Sequence, residues 1–138
     1  MLHKTSGIVL RSVKYGESSL IVNIFTELFG VQAYLVNGVR TSRPSSRAAL
    51  LQPANLLNLV AYHHEGRNLQ RLSDFRYGYL YRSLYTDMVK NSIALFLVEL
   101  LDKSLRQPEV HPELFWFISG ALQWTKDYCI WSDGSGAA

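Results

Sequence analysis

Three arginines in a polar stretch are the residues of this sequence whose chemistry is most readily named. Arg40, Arg43 and Arg47 follow the turn signal Asn37-Gly38, and no acidic residue lies among them. A guanidinium group can bind a phosphate through two parallel hydrogen bonds, and a loop lets several such groups reach a strand without a fixed register. We therefore predict that this basic loop contacts a phosphate backbone.

Other candidates for the same surface lie outside the loop. Lys14 ends the first predicted strand and Arg71 belongs to the last predicted hairpin, whereas Arg11, Arg67 and Arg76 are weaker candidates. Each of these cations has an alternative role in a surface ion pair with a neighbouring carboxylate, a contact that contributes little. Tyr34 is a candidate platform on which a base could stack, although it fits a half-buried strand tyrosine equally well.

The positive charge is concentrated in the first part of the chain. Residues 1–82 hold ten Lys or Arg and four Asp or Glu, whereas residues 83–138 hold four and seven. The net charges are thus +6 and −3, in agreement with the total of +3. This asymmetry favours a polyanionic partner for the first part.

Composition excludes several classes of protein. The longest apolar run, Ile93–Val98, is far shorter than the roughly 20 residues of a membrane span, and the start MLHKTSG lacks the apolar core of a secretory signal. We therefore expect a cytoplasmic protein with no membrane partner. The single cysteine, Cys129, and the scattered histidines predict no metal site. No phosphate-binding loop or dinucleotide fingerprint is present, so we expect no cofactor and no enzymatic activity.

Five short strands are predicted before residue 78. Apolar and polar residues alternate in each, and turn residues separate them; the strands are Ile8–Lys14, Leu20–Thr26, Val31–Val36, Leu56–His63 and Leu69–Tyr77. In the third strand, Val31, Ala33 and Leu35 share one face. In the fifth, we expect Leu69, Phe75 and Tyr77 to share a face. The longest connection, between the third and fourth strands, favours an oligonucleotide-binding (OB) barrel over an SH3-like barrel.

Two amphipathic helices are predicted to follow, Leu84–Leu105 and Glu113–Asp127. We expect their buried faces to comprise Val89, Ile93, Phe96, Leu97, Leu100 and Leu101 in the first and Leu114, Phe117, Ile118, Ala121 and Leu122 in the second. Phe115 and Trp116 lie off the second stripe, as if facing a further helix. The sequence thus predicts an α+β chain: an OB-fold domain at 1–78, a partial helical domain at 79–130 and a disordered tail at 131–138.

The run GIVLRSVKYGESSLIVNIFTELFGVQAYLVNGVR, followed by LLQP and by FLVELL, resembles the RecO family of bacterial recombination mediators. The resemblance extends from about Thr5 to about Asp127. It implies an OB-fold barrel and a helical domain that bind single- and double-stranded DNA and promote annealing of complementary strands. It also implies contacts with RecR and with the tail of the single-stranded-DNA-binding protein, and thereby indirect loading of RecA. Arg40 matches the family position at which the basic loop begins.

The chain departs from that family pattern at its end. Family members continue with further helices, some with a four-cysteine zinc site, so we expect this chain to be a fragment or a truncated form without zinc. The contacts with the single-stranded-DNA-binding protein map to those later helices, so that partner is the least expected. Two other functions stay open: a module that docks RecR or the single-stranded-DNA-binding protein, and an RNA-binding barrel.

Overall fold

The computed structural model describes residues 2–38, 46–79, 88–105, 107 and 109–127. Its elements in chain order are β1 (Leu2–Tyr15), β2 (Ser19–Thr26), β3 (Gly30–Val36), α1 (Ser46–Leu50), β4 (Leu56–Tyr62), β5 (Leu69–Tyr79), α2 (Met88–Ser104) and α3 (Pro112–Asp127). The predicted barrel followed by two helices is confirmed, and the short helix α1 is an addition. The predicted tail lies outside the described residues.

The five strands form a closed barrel in the order β1-β2-β3-β5-β4. Strand β1 closes it because it is 14 residues long: its first half pairs with β4 and its second half with β2, so that Gly7 lies opposite both Leu57 and Thr26. Strands β3 and β5 pair in parallel, and the other pairs are antiparallel. This is the order of an OB-fold barrel, so the SH3-like alternative is wrong.

A β-bulge in β5 reverses which side chains face the barrel interior. Ala61 lies opposite Leu72 and Val60 opposite Asp74, so Ser73 is an extra residue in β5. Each inserted residue shifts the alternation of side chains by one position. Phe75 therefore points inward, whereas Leu69 and Arg71 point outward. The predicted common face of Leu69, Phe75 and Tyr77 is wrong for this reason.

The barrel interior is one of two hydrophobic cores. It is filled by inward-pointing aliphatic and aromatic side chains, with Leu50 and Leu51 of the α1 segment packed against them; the buried members are Val9, Leu20, Val22, Ile24, Tyr34, Val36, Leu51, Leu57, Leu59, Ala61 and Phe75. The hydroxyl of Ser12 donates a hydrogen bond to the carbonyl of Leu51 and ties this segment to β1.

The second core lies between the outside of the barrel and the two long helices. Ile8, Leu10 and Phe25 supply the barrel side of this core. The helices add Ala94, Val98 and Leu101 from α2 and Phe115, Ile118 and Leu122 from α3. The partner surface that the helical stripes require is thus the barrel.

The buried faces of the helices agree only in part with the predicted ones: Leu101, Ile118 and Leu122 are buried as predicted. Helix α2 buries Lys90, Ala94, Val98 and Leu101, whereas Val89, Ile93, Phe96 and Leu100 are exposed. Apolar residues occur on several sides of α2, so their spacing could not identify the buried one; the small side chain of Ala94 permits a close approach to the barrel. In α3, Phe117 is exposed.

Contacts from α3 and the segment before it hold the helices against the turn between β2 and β3. Phe115, predicted to face a missing helix, is buried edge-on against Phe25, with ring centroids 5.6 Å apart. The Trp116 indole N–H donates a 2.9 Å hydrogen bond to Glu27. Gly30 has φ +70°, and a Cβ there would lie 2.1 Å from the Glu109 carbonyl oxygen. The turn therefore requires glycine for two independent reasons.

Candidate nucleic-acid interface

The outer surface of the barrel is organised in rows that run across the strands. In the first row, successive cross-strand partners are Val13, Ile21, Leu35, Arg71 and Tyr62. Their alternation with buried neighbours places all of them on the outside. Neighbouring strands lie about 4.8 Å apart, so Arg71 and Tyr62 are adjacent.

The next two rows differ in what covers them. The second contains Arg11, Asn23, Ala33 and Leu69, and the third contains Ile8, Phe25 and Val31. The third row packs against the helices, whereas exposed or half-buried side chains form the first two. Strands 2 and 3 of OB-folds and the loops beside them are the usual surface for oligonucleotides. Here the helices leave part of that surface open.

A groove of about 600 Å³ lies along the first row, and we call it the barrel groove. Its lining comprises Leu35, Tyr62, His64, Arg67, Leu69, Gln70 and Arg71. Two guanidinium groups, an exposed aromatic ring and aliphatic side chains thus line one depression, and none of its described lining residues carries a carboxylate. This combination is typical of surfaces that bind single-stranded nucleic acid by phosphate contacts and base stacking.

A second groove of about 480 Å³ lies where the barrel meets α2, and we call it the junction groove. Its lining includes Arg11 and Asn23 of the second row, Arg67 and Asn68 of the β4–β5 turn, and Asp102 and Lys103 of α2. The Asn23 side-chain amide donates a 3.4 Å hydrogen bond to Asp102. Because Arg67 lines both grooves, the grooves are contiguous.

The arginines of these grooves are not neutralised by neighbouring carboxylates. Within the part of the chain that the structure describes, Arg11, Arg67 and Arg71 take part in no ion pair. Arg76, which points away from both grooves, lies 3.4 Å from Asp74. The positive potential is thus available to a ligand on this face.

The structure brings only some of the predicted binding residues to this surface. Arg71 lies in the barrel groove. Lys14 is exposed at the end of β1, next to Val13 of the first row. Arg47 is exposed on α1 and stacks over Phe75, with its guanidinium carbon 4.7 Å from the ring centroid. Arg40 and Arg43 lie outside the described residues, so their role stays a prediction.

Tyr34 cannot be a stacking platform in this fold. Its side chain is 0% exposed and lies inside the barrel. Among the described residues its hydroxyl has no hydrogen-bond partner, and burial raises the pKa of the Tyr34 phenol above its usual value of 10.0. The aromatic side chain that does face the groove is Tyr62, which is 42% exposed.

Tyr62 was not identified from the sequence, although a signal was present. It shares its alternation with Asn58, a polar residue on the outward face of β4. That pattern places an aromatic ring on a solvent-facing position. The convergence of Tyr62 with Arg67 and Arg71 depends on the register of the β4–β5 hairpin, which the extra residue Ser73 shifts and which strand alternation alone does not reveal.

The described residues contain neither a cluster of metal ligands nor a membrane-spanning helix. Among the described residues, no group of three or more His, Cys, Asp or Glu side chains is arranged to hold a metal ion. Over the same residues, no helix is long and apolar enough to cross a bilayer.

The order of the strands and the basic, partly apolar outer face define an OB-fold protein with a helical extension. Comparison with known families is more specific. Residues 1–78 match the family described as "Recombination protein O N terminal", and residues 85–128 match "Recombination protein O C terminal". The chain therefore belongs to the RecO family.

Individual relatives agree with this assignment. The chain is 34% identical over 124 residues to DNA repair protein RecO of Phocaeicola vulgatus, which covers 90% of this chain and 52% of that protein. It is 34% identical over 122 residues to the protein of the same name from Flavobacterium johnsoniae, covering 88% and 52%. The chain is also 34% identical over 119 residues to DNA repair protein RecO of Salinibacter ruber, an alignment that covers 86% of this chain and 45% of that protein. The chain thus spans about half the length of these relatives.

Proposed function

We propose that this chain is a DNA-binding protein of recombinational DNA repair that holds a single strand along the outer face of its barrel. The observation that supports this most is the barrel groove, where Arg67 and Arg71 lie beside the exposed ring of Tyr62. The arginines bind phosphates and the ring stacks on a base, so binding needs no particular sequence.

The same surface accounts for the wider activities proposed here. Charge neutralisation also attracts duplex DNA, and two single strands held on basic surfaces meet at high local concentration and anneal. No bond is made or broken in that process, so the proposed function is not enzymatic. In the cell we place it in the cytoplasm, acting with RecR to load RecA onto strands coated by the single-stranded-DNA-binding protein.

A salt series tests the proposal. The 138-residue chain is titrated by fluorescence anisotropy with single-stranded DNA, duplex DNA and RNA of equal length. If about six phosphates are neutralised, log K for the single strand falls against log salt with a slope near −4. Faster annealing of complementary oligonucleotides is the second readout. If none of the three nucleic acids binds at low salt, the proposal is contradicted. If RNA binds clearly more tightly than DNA, RNA and not DNA is the ligand.

The basic loop has its own test. Replacing Arg40, Arg43 and Arg47 together by Ala is expected to make the slope shallower by up to about 2 if each contacts one phosphate of a single strand. If the slope of log K against log salt is unchanged, the loop arginines do not contact the DNA, and the interface is confined to the grooves.

A docking module is the second candidate function. It is favoured by the apolar side of α2, where Val89, Phe96 and Leu100 are exposed, and by Phe117 of α3. Exposed apolar side chains that recur along one side of a helix often contact another protein. In this alternative, RecR or the single-stranded-DNA-binding protein covers the helices. Co-sedimentation with each purified partner, compared between the parent chain and Phe96→Ser, tests the docking function independently of DNA binding.

A further inference from the structure

The junction groove is built by three separate parts of the chain. Arg11 comes from β1, Arg67 from the β4–β5 turn and Lys103 from the last turn of α2. Their side chains line one depression of about 480 Å³, a size in the range of ligand sites. The end of α2 therefore contributes to a basic surface that otherwise belongs to the barrel.

The charges in this groove favour an anion despite the presence of one carboxylate. Asp102 is the acidic residue among the lining residues, and it accepts a 3.4 Å hydrogen bond from the Asn23 amide. Lys103 lies 3.2 Å from Glu99, but both side chains are well exposed. An exposed pair of this kind contributes little, so Glu99 competes only weakly with a phosphate for the ammonium. Arg11 and Arg67 make no ion pair within the described residues.

The position of the groove indicates an extended ligand. It shares Arg67 with the barrel groove, so a strand whose base stacks on Tyr62 reaches the junction groove without leaving the basic surface. An acidic peptide would also be attracted by the cations. The exposed ring of Tyr62, in one groove with Arg67 and Arg71, suits a ligand that carries both bases and phosphates better than a peptide that carries carboxylates.

We propose that the junction groove binds the backbone phosphates of a single DNA strand as it leaves the barrel groove. Helix α2 thereby completes the DNA site, and Asp102 lowers its affinity. This inference rests on the proposed function, because it extends the path of the same ligand. In this arrangement Arg11 and Lys103 increase the affinity for long strands, whereas short strands bind in the barrel groove without them.

A length series on the complete chain tests this path. Oligo(dT) strands of 4 to 16 nucleotides, the range of site sizes for OB-folds, are titrated against the parent chain, Arg11→Ala/Lys103→Ala and Arg76→Ala/Lys4→Ala. The second double variant is the matched control, because it removes two exposed cations outside both grooves. Melting temperatures of all three proteins establish that they are equally folded.

The double variant in the junction groove is expected to bind the shortest strand as the parent does. For the longest strand we expect about tenfold weaker binding at 50 mM salt and a salt slope shallower by about 1.4, the value for two phosphates on a single strand. The control variant is expected to match the parent at every length. An equal loss of affinity at all strand lengths contradicts the proposed path of the strand, and so does an equal loss of affinity in the control variant.

Asp102→Asn provides a test of opposite sign. Removing the carboxylate is expected to strengthen binding of the longest strand about threefold while leaving the shortest unchanged. Unchanged or weaker binding of the longest strand overturns the role given to Asp102. If a glutamate-rich peptide, and not DNA, responds to Arg11→Ala/Lys103→Ala, the groove is a peptide site. If the parent chain binds no DNA, both the proposed function and this inference are wrong. If the parent chain binds DNA and the variants in the junction groove bind it equally well, only this inference is wrong.

Discussion

Arg71 and Tyr62 lie directly opposite each other in the register between β5 and β4, and both side chains point away from the barrel core. A guanidinium and an aromatic ring are thereby fixed side by side on rigid strands rather than on a loop. The β-bulge at Ser73 is the cause, because an unbroken alternation would place Arg71 on the same face as Phe75. The hydrogen-bond register of the barrel thus determines that these two proposed DNA-binding side chains lie next to each other.

Replacing Tyr62 by Ala is expected to weaken binding of single-stranded oligo(dT) by roughly tenfold. Stacking of a base on an aromatic side chain contributes about 1–3 kcal/mol, and about 1.4 kcal/mol corresponds to tenfold. The measurement is fluorescence anisotropy at fixed salt. Phe117→Ala is the control, since it removes an exposed aromatic ring on α3. Equal affinities for Tyr62→Ala and the parent exclude stacking at this position.

Tyr34→Phe is expected to leave DNA binding unchanged and to alter stability at alkaline pH. The buried hydroxyl has no hydrogen-bond partner in the part of the chain that the structure describes, so its removal at neutral pH is neutral or stabilising by about 1 kcal/mol. Because burial raises the pKa of Tyr34 in the folded chain, the unfolded chain loses this proton first, near pH 10. Stability therefore falls as pH rises above about 10, by up to about 1.4 kcal/mol per unit.

The alkaline effect is measured by urea unfolding at several pH values between 8 and 11. Tyr34→Phe is expected to lose less stability than the parent between pH 10 and 11, because it lacks the phenol. Parallel losses in the two proteins would show that Tyr34 does not titrate in the unfolding equilibrium. Reduced DNA affinity of a fully folded Tyr34→Phe would contradict the placement of Tyr34 in the core.

Gly30→Ala is expected to destabilise the chain by more than about 3 kcal/mol. Its φ of +70° disfavours a side chain by about 1–2 kcal/mol, and a Cβ would collide with the Glu109 backbone at 2.1 Å. Gly38→Ala is the matched control, because Gly38 has φ +72° and no atom of the described residues lies within 4 Å of the position its Cβ would take. Urea unfolding of both variants separates the collision from the backbone strain; equal losses would mean that the helical segment does not pack against this turn.

Much of the fold follows from local sequence patterns. Period-two alternation located the strands, and Val31, Ala33 and Leu35 share one face of β3 as predicted. Features that depend on tertiary contacts could not be predicted in this way. The inserted Ser73 leaves no mark in the alternation until the strand is paired, and α2 carries apolar residues on both its buried and its exposed sides.

The site was less predictable than the fold. Arg71 was chosen as a cation of the last predicted hairpin, with an ion pair to a carboxylate such as Asp74 as the alternative. Tyr34 was chosen on residue type alone, and strand alternation with Gln32 and Val36 does not reveal which face of β3 closes on the core. The junction groove joins residues of β1 and α2 that are some ninety positions apart, and no local pattern predicts such an approach.

The outward arginines of the barrel are proposed to bind phosphates, and the salt dependence of DNA binding by Arg67→Ala/Arg71→Ala tests this role. A 16-nucleotide oligo(dT) is titrated from 50 to 200 mM salt against this variant, the parent and Arg76→Ala. Loss of two phosphate contacts predicts a slope shallower by about 1.4 for the double variant and the parental slope for Arg76→Ala. A double variant with the parental slope would contradict the account.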